Sequence, residues 1–102
     1  MNLTERIEQK IERFFHPFFC RIMNESHMHH VPPHAETHFK LIIVSNKFNN
    51  LSLIKRHQLI YSILNEEMKH IHALSMHLFD ETEWKNVDQK ELLSPLCSRG
   101  KK

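Results

Sequence analysis

Imidazole is unusually frequent in this sequence, at ten histidines in 102 residues, and it is unevenly placed. Five of the ten histidines, His27, His29, His30, His34 and His38, fall within "HMHHVPPHAETH". Two more, His70 and His72, sit in "KHIHA". A dense imidazole segment can bind a metal, titrate near neutral pH or simply be solvated. A self-contained zinc site needs four fixed ligands, and no Cys/His pair here has zinc-finger spacing. Taken alone, His72 reads as a structural histidine at a strand end, bonded to a backbone carbonyl. His27, His34 and His38 read as solvated loop residues.

Thiol and cationic chemistry is sparser. Cys20 and Cys97 are the two cysteines, far apart and with no CxxC pair, a usage that fits a reducing compartment. Cys20 falls within an alternating strand pattern and is expected to be buried and inert. Cys97 lies beside Arg99, Lys101 and Lys102, which lower a thiol pKa and make it the redox-modifiable one. Lys47, Lys55 and Arg56 form a small basic patch near the start of a helix, expected to face solvent and to be available to phosphate. Gly100 is the only glycine. Its position rules out a GxxG nucleotide clamp and a glycine-rich phosphate loop. With no nucleophile elbow or HExxH either, the chain is expected not to be an enzyme.

The elements that must position these groups follow from apolar spacing. Leu3, Ile7, Ile11, Phe14 and Phe15 lie on one helical face; Asn2 and Glu5 form a capping-box pattern, and Pro17 stops the helix. "FFCRIMNE" (18–25) reads as a strand, residues 26–36 as a loop, and "HFKLIIVS" (38–45) as a central strand. Asn49 and Asn50 can take the left-handed turn conformation that glycine usually supplies. Leu53, Ile60, Tyr61, Leu64 and Met68 make a second helical stripe, on which His57 is a core histidine. "IHALSMHLF" (71–79) is a third strand. Asp80 and Glu83 cap a short helix holding Trp84, and residues 88–102 show no apolar period and read as a flexible tail.

The predicted fold is therefore α+β. It is one domain over residues 1–87, ordered helix–strand–strand–helix–strand–helix, with a three-stranded mixed sheet and helices on one face. The first two strands pair antiparallel. The second and third, separated by a helix, pair in parallel with a right-handed crossover. Parallel strands start at one end of the sheet, so the histidine loop that feeds the second strand must lie near His70 and His72.

At 102 residues the chain has room for one modest core. No apolar run approaches the roughly 20 residues of a membrane span. "MNLTERIEQK" lacks the pattern of a signal or transit peptide, which leads to an expected cytoplasmic location. The formal charge of +2 leans only weakly toward anionic partners.

"RIEQKI", "NESHMHHVPPHAETHFKLIIVSNKF", "KRHQLIYSILNEEM", "IHALSMH" and "SPLCSRG", in this order and spacing, resemble the BolA family from about Glu5 to Gly100. The resemblance implies a fold similar to a type II KH domain. It also implies an adaptor that pairs with a monothiol glutaredoxin and shares a 2Fe–2S cluster with it and glutathione, in iron–sulphur trafficking and iron or stress regulation. No cofactor is then expected in the isolated protein. It carries an alternative as well, a DNA-binding transcriptional regulator of stress response and cell morphology using a KH-like surface. Lys47, Lys55 and Arg56 would be its phosphate contacts. The family's near-invariant histidine falls on His72 and its loop ligand on His29, with His30 as the alternate. Imidazole can replace thiolate on one iron of such a cluster, and with no cysteine near the loop the remaining donors must come from a partner. The family's usual turn glycine is replaced here by Asn50.

Overall fold

A computed structural model describes residues 2–26 and 36–93. Its first helix, α1 (Leu3–Phe15), opens on the expected capping box, with Asn2 and Glu5 each accepting the other's backbone N–H. It closes at His16, whose φ of 44° is left-handed, and Pro17 follows. Ile7, Ile11 and Phe15 are its buried residues.

Three strands follow in the order β1 (Phe19–Asn24), β2 (His38–Val44) and β3 (Ala73–Phe79), forming one sheet with β2 at the centre. β1 and β2 are antiparallel, pairing Phe19 with Val44 and Asn24 with Phe39. β2 and β3 are parallel, pairing His38 with Ala73 and Val44 with Phe79. The mixed sheet matches the topology expected from the intervening helix.

That helix is α2 (Leu53–Ile63), shorter than the apolar stripe suggests. Ser52 caps its start, and a 3-10 turn over Glu67–His70 leads into β3. Asn50 takes the left-handed conformation, φ 64°, in the turn before it. The inward positions of α2 are Arg56 and Ile60, followed by buried Leu64 at its C-cap. Leu53 and Tyr61, expected on the buried stripe, are instead 61% and 44% exposed. The helix is rotated because an arginine, which apolar spacing does not count, fills an inward position.

α1 and α2 share one face of the sheet, where Phe39, Leu41 and Ile43 meet Ile7, Ile11, Phe15, Phe48, Ile60 and Leu64. Strand alternation turns Lys40, Ile42 and Val44 to the opposite face, yet these are buried too. Over that face Trp84, from α3 (Glu81–Trp84), stacks on Phe19 at 5.1 Å and meets Phe79 at 5.6 Å. A final turn, α4 (Gln89–Leu92), is capped by Asp88, and the Leu92 carbonyl accepts from buried Lys40 Nζ. Residues 88–93 thus form a capped turn tied to the sheet, where no regular structure was expected. Residues 94–102, including Cys97, lie outside the described residues.

Two ionic clusters join the layers. Glu67, with 1% of its side chain exposed, receives Lys10 at 2.8 Å and Arg6 at 3.2 Å, tying α1 to the turn before β3. Desolvation raises the Glu67 pKa, but the hydrogen bonds from Lys10 and its own backbone, with the charges of Lys10 and Arg6, outweigh it and hold the carboxyl below its usual value. The second cluster is centred on Arg56. Its Nε donates to the Leu51 carbonyl at 2.9 Å and its Nη1 to the Leu78 carbonyl at 3.1 Å. Its two Nη atoms reach Glu83 at 2.6 and 3.3 Å.

Candidate functional site

The parallel pairing of β2 and β3 brings the starts of both strands to one end of the sheet, and the histidine segment enters there. Its two flanks are held by side-chain oxygens. On the β1 side, Ser26 Oγ accepts the backbone N–H of Thr37 at 2.9 Å and of His38 at 3.1 Å. On the β2 side, the Glu36 carboxylate accepts from Leu3 N at 3.0 Å, Thr4 N at 3.2 Å and Thr4 Oγ1 at 2.8 Å. A carboxylate at a helix N-terminus meets unsatisfied backbone N–H groups and the positive end of the helix dipole. Desolvation raises the Glu36 pKa, and the hydrogen bonds from Thr4 and Leu3 more than offset it, leaving the carboxyl below its usual value.

Between these anchors lies the edge that carries His72. The Thr37 carbonyl accepts both the His72 N–H at 2.8 Å and the Ala73 N–H at 3.1 Å, which fixes the backbone where β3 begins. The backbone of His72 therefore bonds to a carbonyl, as a strand-end histidine should, while its side chain is exposed. His38, expected to be merely solvated, is half-buried with its ring centroid 5.0 Å from that of His72, the rings inclined at 45°. His38 Nδ1 lies 2.9 Å from Thr37 Oγ1. His70 is exposed in the turn just before.

A buried carboxylate adjoins this edge. Glu25 is 6% exposed, its N–H donates to the His38 carbonyl at 2.7 Å, and its Oε2 has no hydrogen-bond partner among the described residues. It extends the ladder beyond Asn24 and so lies across from His38. Among the described residues, no group of three or more His, Cys, Asp or Glu side chains is close enough to hold a metal ion. What this edge presents is the His38–His72 imidazole pair.

His72 thus occupies the edge that the topology predicted. His29, the expected loop ligand, and its alternate His30 lie outside the described residues, as do His27 and His34. His38 is the residue that sequence reasoning passed over. Parallel pairing sets His38, the first residue of β2, beside Ala73, the residue after His72, but the ring contact itself is not carried by the topology.

The expected basic patch divides. Lys47 and Lys55 are exposed, but Arg56 is 6% exposed and is not the solvent-facing cation anticipated. Its guanidinium is held by two backbone carbonyls and Glu83, and burial among Leu51, Leu78 and Phe48 leaves no open face for phosphate. Cys20 is half-buried, and desolvation, reinforced by Glu8 and Glu12, pushes its thiol up to about 12. A shallow groove of about 340 Å³ at the far end of the sheet is lined by Leu51, Leu53, Leu78, Phe79 and Val87 together with the paired Arg56 and Glu83.

Comparison with known proteins bears on the whole arrangement. A family model described as BolA-like protein matches residues 11–83. A DNA-binding transcriptional regulator BolA from Haemophilus influenzae is 48% identical over 99 residues, covering 96% of each chain. The protein of that name from Escherichia coli is 39% identical over 98 residues, covering 95% of this chain and 93% of its own. Among solved structures, BolA1 from Mus musculus superposes with a TM-score of 0.81 at 31% identity, covering 94% of this chain and 79% of its own. The BolA domain of SufE1 from Arabidopsis thaliana gives 0.75 at 38% identity, covering 81% of this chain and 96% of its own. Sequence and fold agree, and the chain belongs to the BolA-like family.

Proposed function

We propose that this chain is a non-enzymatic adaptor that pairs with a monothiol glutaredoxin and completes a shared 2Fe–2S cluster, in iron–sulphur trafficking and iron or stress regulation. The observation that carries the reading is the exposed His72 imidazole, held by its backbone at the sheet edge where the histidine segment enters. His72 and His29, with His30 as alternate, would be the donors from this chain. The cluster's remaining ligands would be thiolates from the glutaredoxin and glutathione. Such a centre supplies one-electron redox chemistry, and nitrogen ligation raises its potential. The chain's own part is to present imidazole from a rigid edge and to leave the rest of the coordination sphere to a partner. No helix among the described residues is long and apolar enough to cross a membrane. A cytoplasmic location is part of the proposal.

The test is anaerobic reconstitution with a monothiol glutaredoxin, glutathione and iron, followed by visible circular dichroism. His72→Ala should keep the heterodimer but shift the spectrum and shorten the lifetime of the cluster. His29→Ala should do the same more mildly, because His30 is at hand. A His72→Ala spectrum and lifetime equal to wild type would refute the reading.

A second reading is favoured by the names of the relatives from Haemophilus influenzae and Escherichia coli, each a DNA-binding transcriptional regulator. If this chain also binds DNA, exposed Lys47 and Lys55 are its candidate phosphate contacts. Binding should then weaken steeply with salt, and replacing both lysines by serine should reduce the slope by about two phosphate contacts. An unchanged slope would remove them from consideration.

A further inference from the structure

We propose that His38 is the positioning residue for His72, an inference that rests on the ligand reading above. An exposed imidazole ordinarily shares its time among several rotamers. Two contacts from one dipeptide restrict that freedom here. The Thr37 carbonyl takes the N–H groups of His72 and Ala73 at 2.8 and 3.1 Å, fixing the backbone. The neighbouring His38 ring then stands 5.0 Å from the His72 ring, inclined at 45°.

The His38 ring is itself held. It is half-buried, and its Nδ1 lies 2.9 Å from Thr37 Oγ1. The backbone beneath it is tied to Ser26 Oγ at 3.1 Å and paired with Ala73 in the parallel ladder. A fixed ring thus backs an exposed one. Partners that orient a ligand without touching the metal commonly matter about 10- to 100-fold in affinity. The packing partner of His72 is the first residue of the adjacent strand, so the sheet register itself aligns the donor.

The test compares His38→Ala, His38→Phe and His72→Ala, each checked for a folded state by thermal melting. Proton NMR of the isolated protein reads the His72 rotamer through ring-to-ring nuclear Overhauser effects and side-chain couplings. Reconstitution with glutaredoxin and glutathione reads the cluster lifetime and its circular dichroism bands. In His38→Ala, the His72 couplings should average and the lifetime should fall about tenfold, with the band pattern retained because the ligands are unchanged. His38→Phe keeps a ring against His72 and should restore the lifetime to within about threefold of wild type. If His38→Ala melts below the assay temperature, the Phe variant and Thr37→Val carry the comparison. Thr37→Val removes the hydroxyl beside His38 Nδ1 and should give a partial loss of lifetime.

Two results would overturn the proposal while leaving His72 as a ligand. One is an unchanged His72 rotamer and lifetime in His38→Ala. The other is an altered band pattern in His38→Phe, which would make the His38 nitrogen a donor in its own right. A wild-type spectrum from His72→Ala would overturn both this proposal and the ligand reading.

Discussion

Replacing Arg56 by alanine tests the account of how α2 is held against β3. The guanidinium serves two carbonyls, those of Leu51 and Leu78, and a forked carboxylate at Glu83. Only 7% of the Arg56 side chain is exposed, against 46% for Glu83. That asymmetry decides where the cost falls. Each carbonyl left without a donor costs about 1–2 kcal/mol, the Leu78 oxygen more because it is buried. Loss of the packed methylene stem adds about 0.8 kcal/mol per buried CH2. The ion pair with half-exposed Glu83 contributes under about 1 kcal/mol. Arg56→Ala should therefore cost about 4 kcal/mol, while Glu83→Gln costs about 1 kcal/mol or less. Arg56→Lys keeps the stem but cannot fork, and should fall between them at about 2 kcal/mol. Urea unfolding followed by far-UV circular dichroism measures all three, with the slope m checked for two-state behaviour. A cost below about 1 kcal/mol for Arg56→Ala, or equal stability for Arg56→Lys, would show that the guanidinium is not the bridge described.

Two further outcomes are expected. Glu36, Glu67 and Glu83 all have carboxyl pKa values below their usual range. They stabilise the fold above the unfolded glutamate pKa of about 4.3, and that contribution is lost as pH falls through their folded values. Urea unfolding at a series of pH values should show stability declining below about pH 5. The decline should be shallower in Glu67→Gln; identical pH slopes would refute the assignment. For Cys20, a thiol raised to about 12 implies roughly a thousandfold less thiolate at pH 8 than in the unfolded chain. Iodoacetamide labelling followed by peptide mass spectrometry should therefore modify Cys20 rapidly only in urea, and fast labelling in the native protein would refute its inertness.

The strands and their relative directions were legible from the sequence because they depend on local apolar alternation and on the length of the connection between strands. The capping boxes at Asn2–Glu5 and Asp80–Glu83 were legible for the same reason, since each is made by residues three apart. Arg56, Glu67 and Lys40 were not. Each is a charged side chain at an inward position, made tolerable by partners distant in sequence: Glu83 and two carbonyls, Lys10 and Arg6, and the Leu92 carbonyl. Apolar spacing treats such positions as outward, so α2 was predicted with Leu53 and Tyr61 turned inward. The site divided likewise. Topology alone placed His72 at the histidine edge, but the contact between His38 and His72 depends on ring orientations that a pattern of residue types does not carry.

The anchoring of the histidine segment has a consequence for how such a protein can change. Ser26 holds one flank by accepting from Thr37 and His38, and Glu36 holds the other by capping α1. Whatever sequence runs from 27 to 35, its ends are brought together by bonds that belong to the scaffold. Lengthening such a closed segment is inexpensive, since each doubling costs only about 0.6 kcal/mol in closure entropy. The segment is therefore an exchangeable cassette. Residues can be swapped, added or removed within it while sheet, core and the His38–His72 pair stay in place, so under the ligand reading proposed above selectivity would drift almost independently of folding stability.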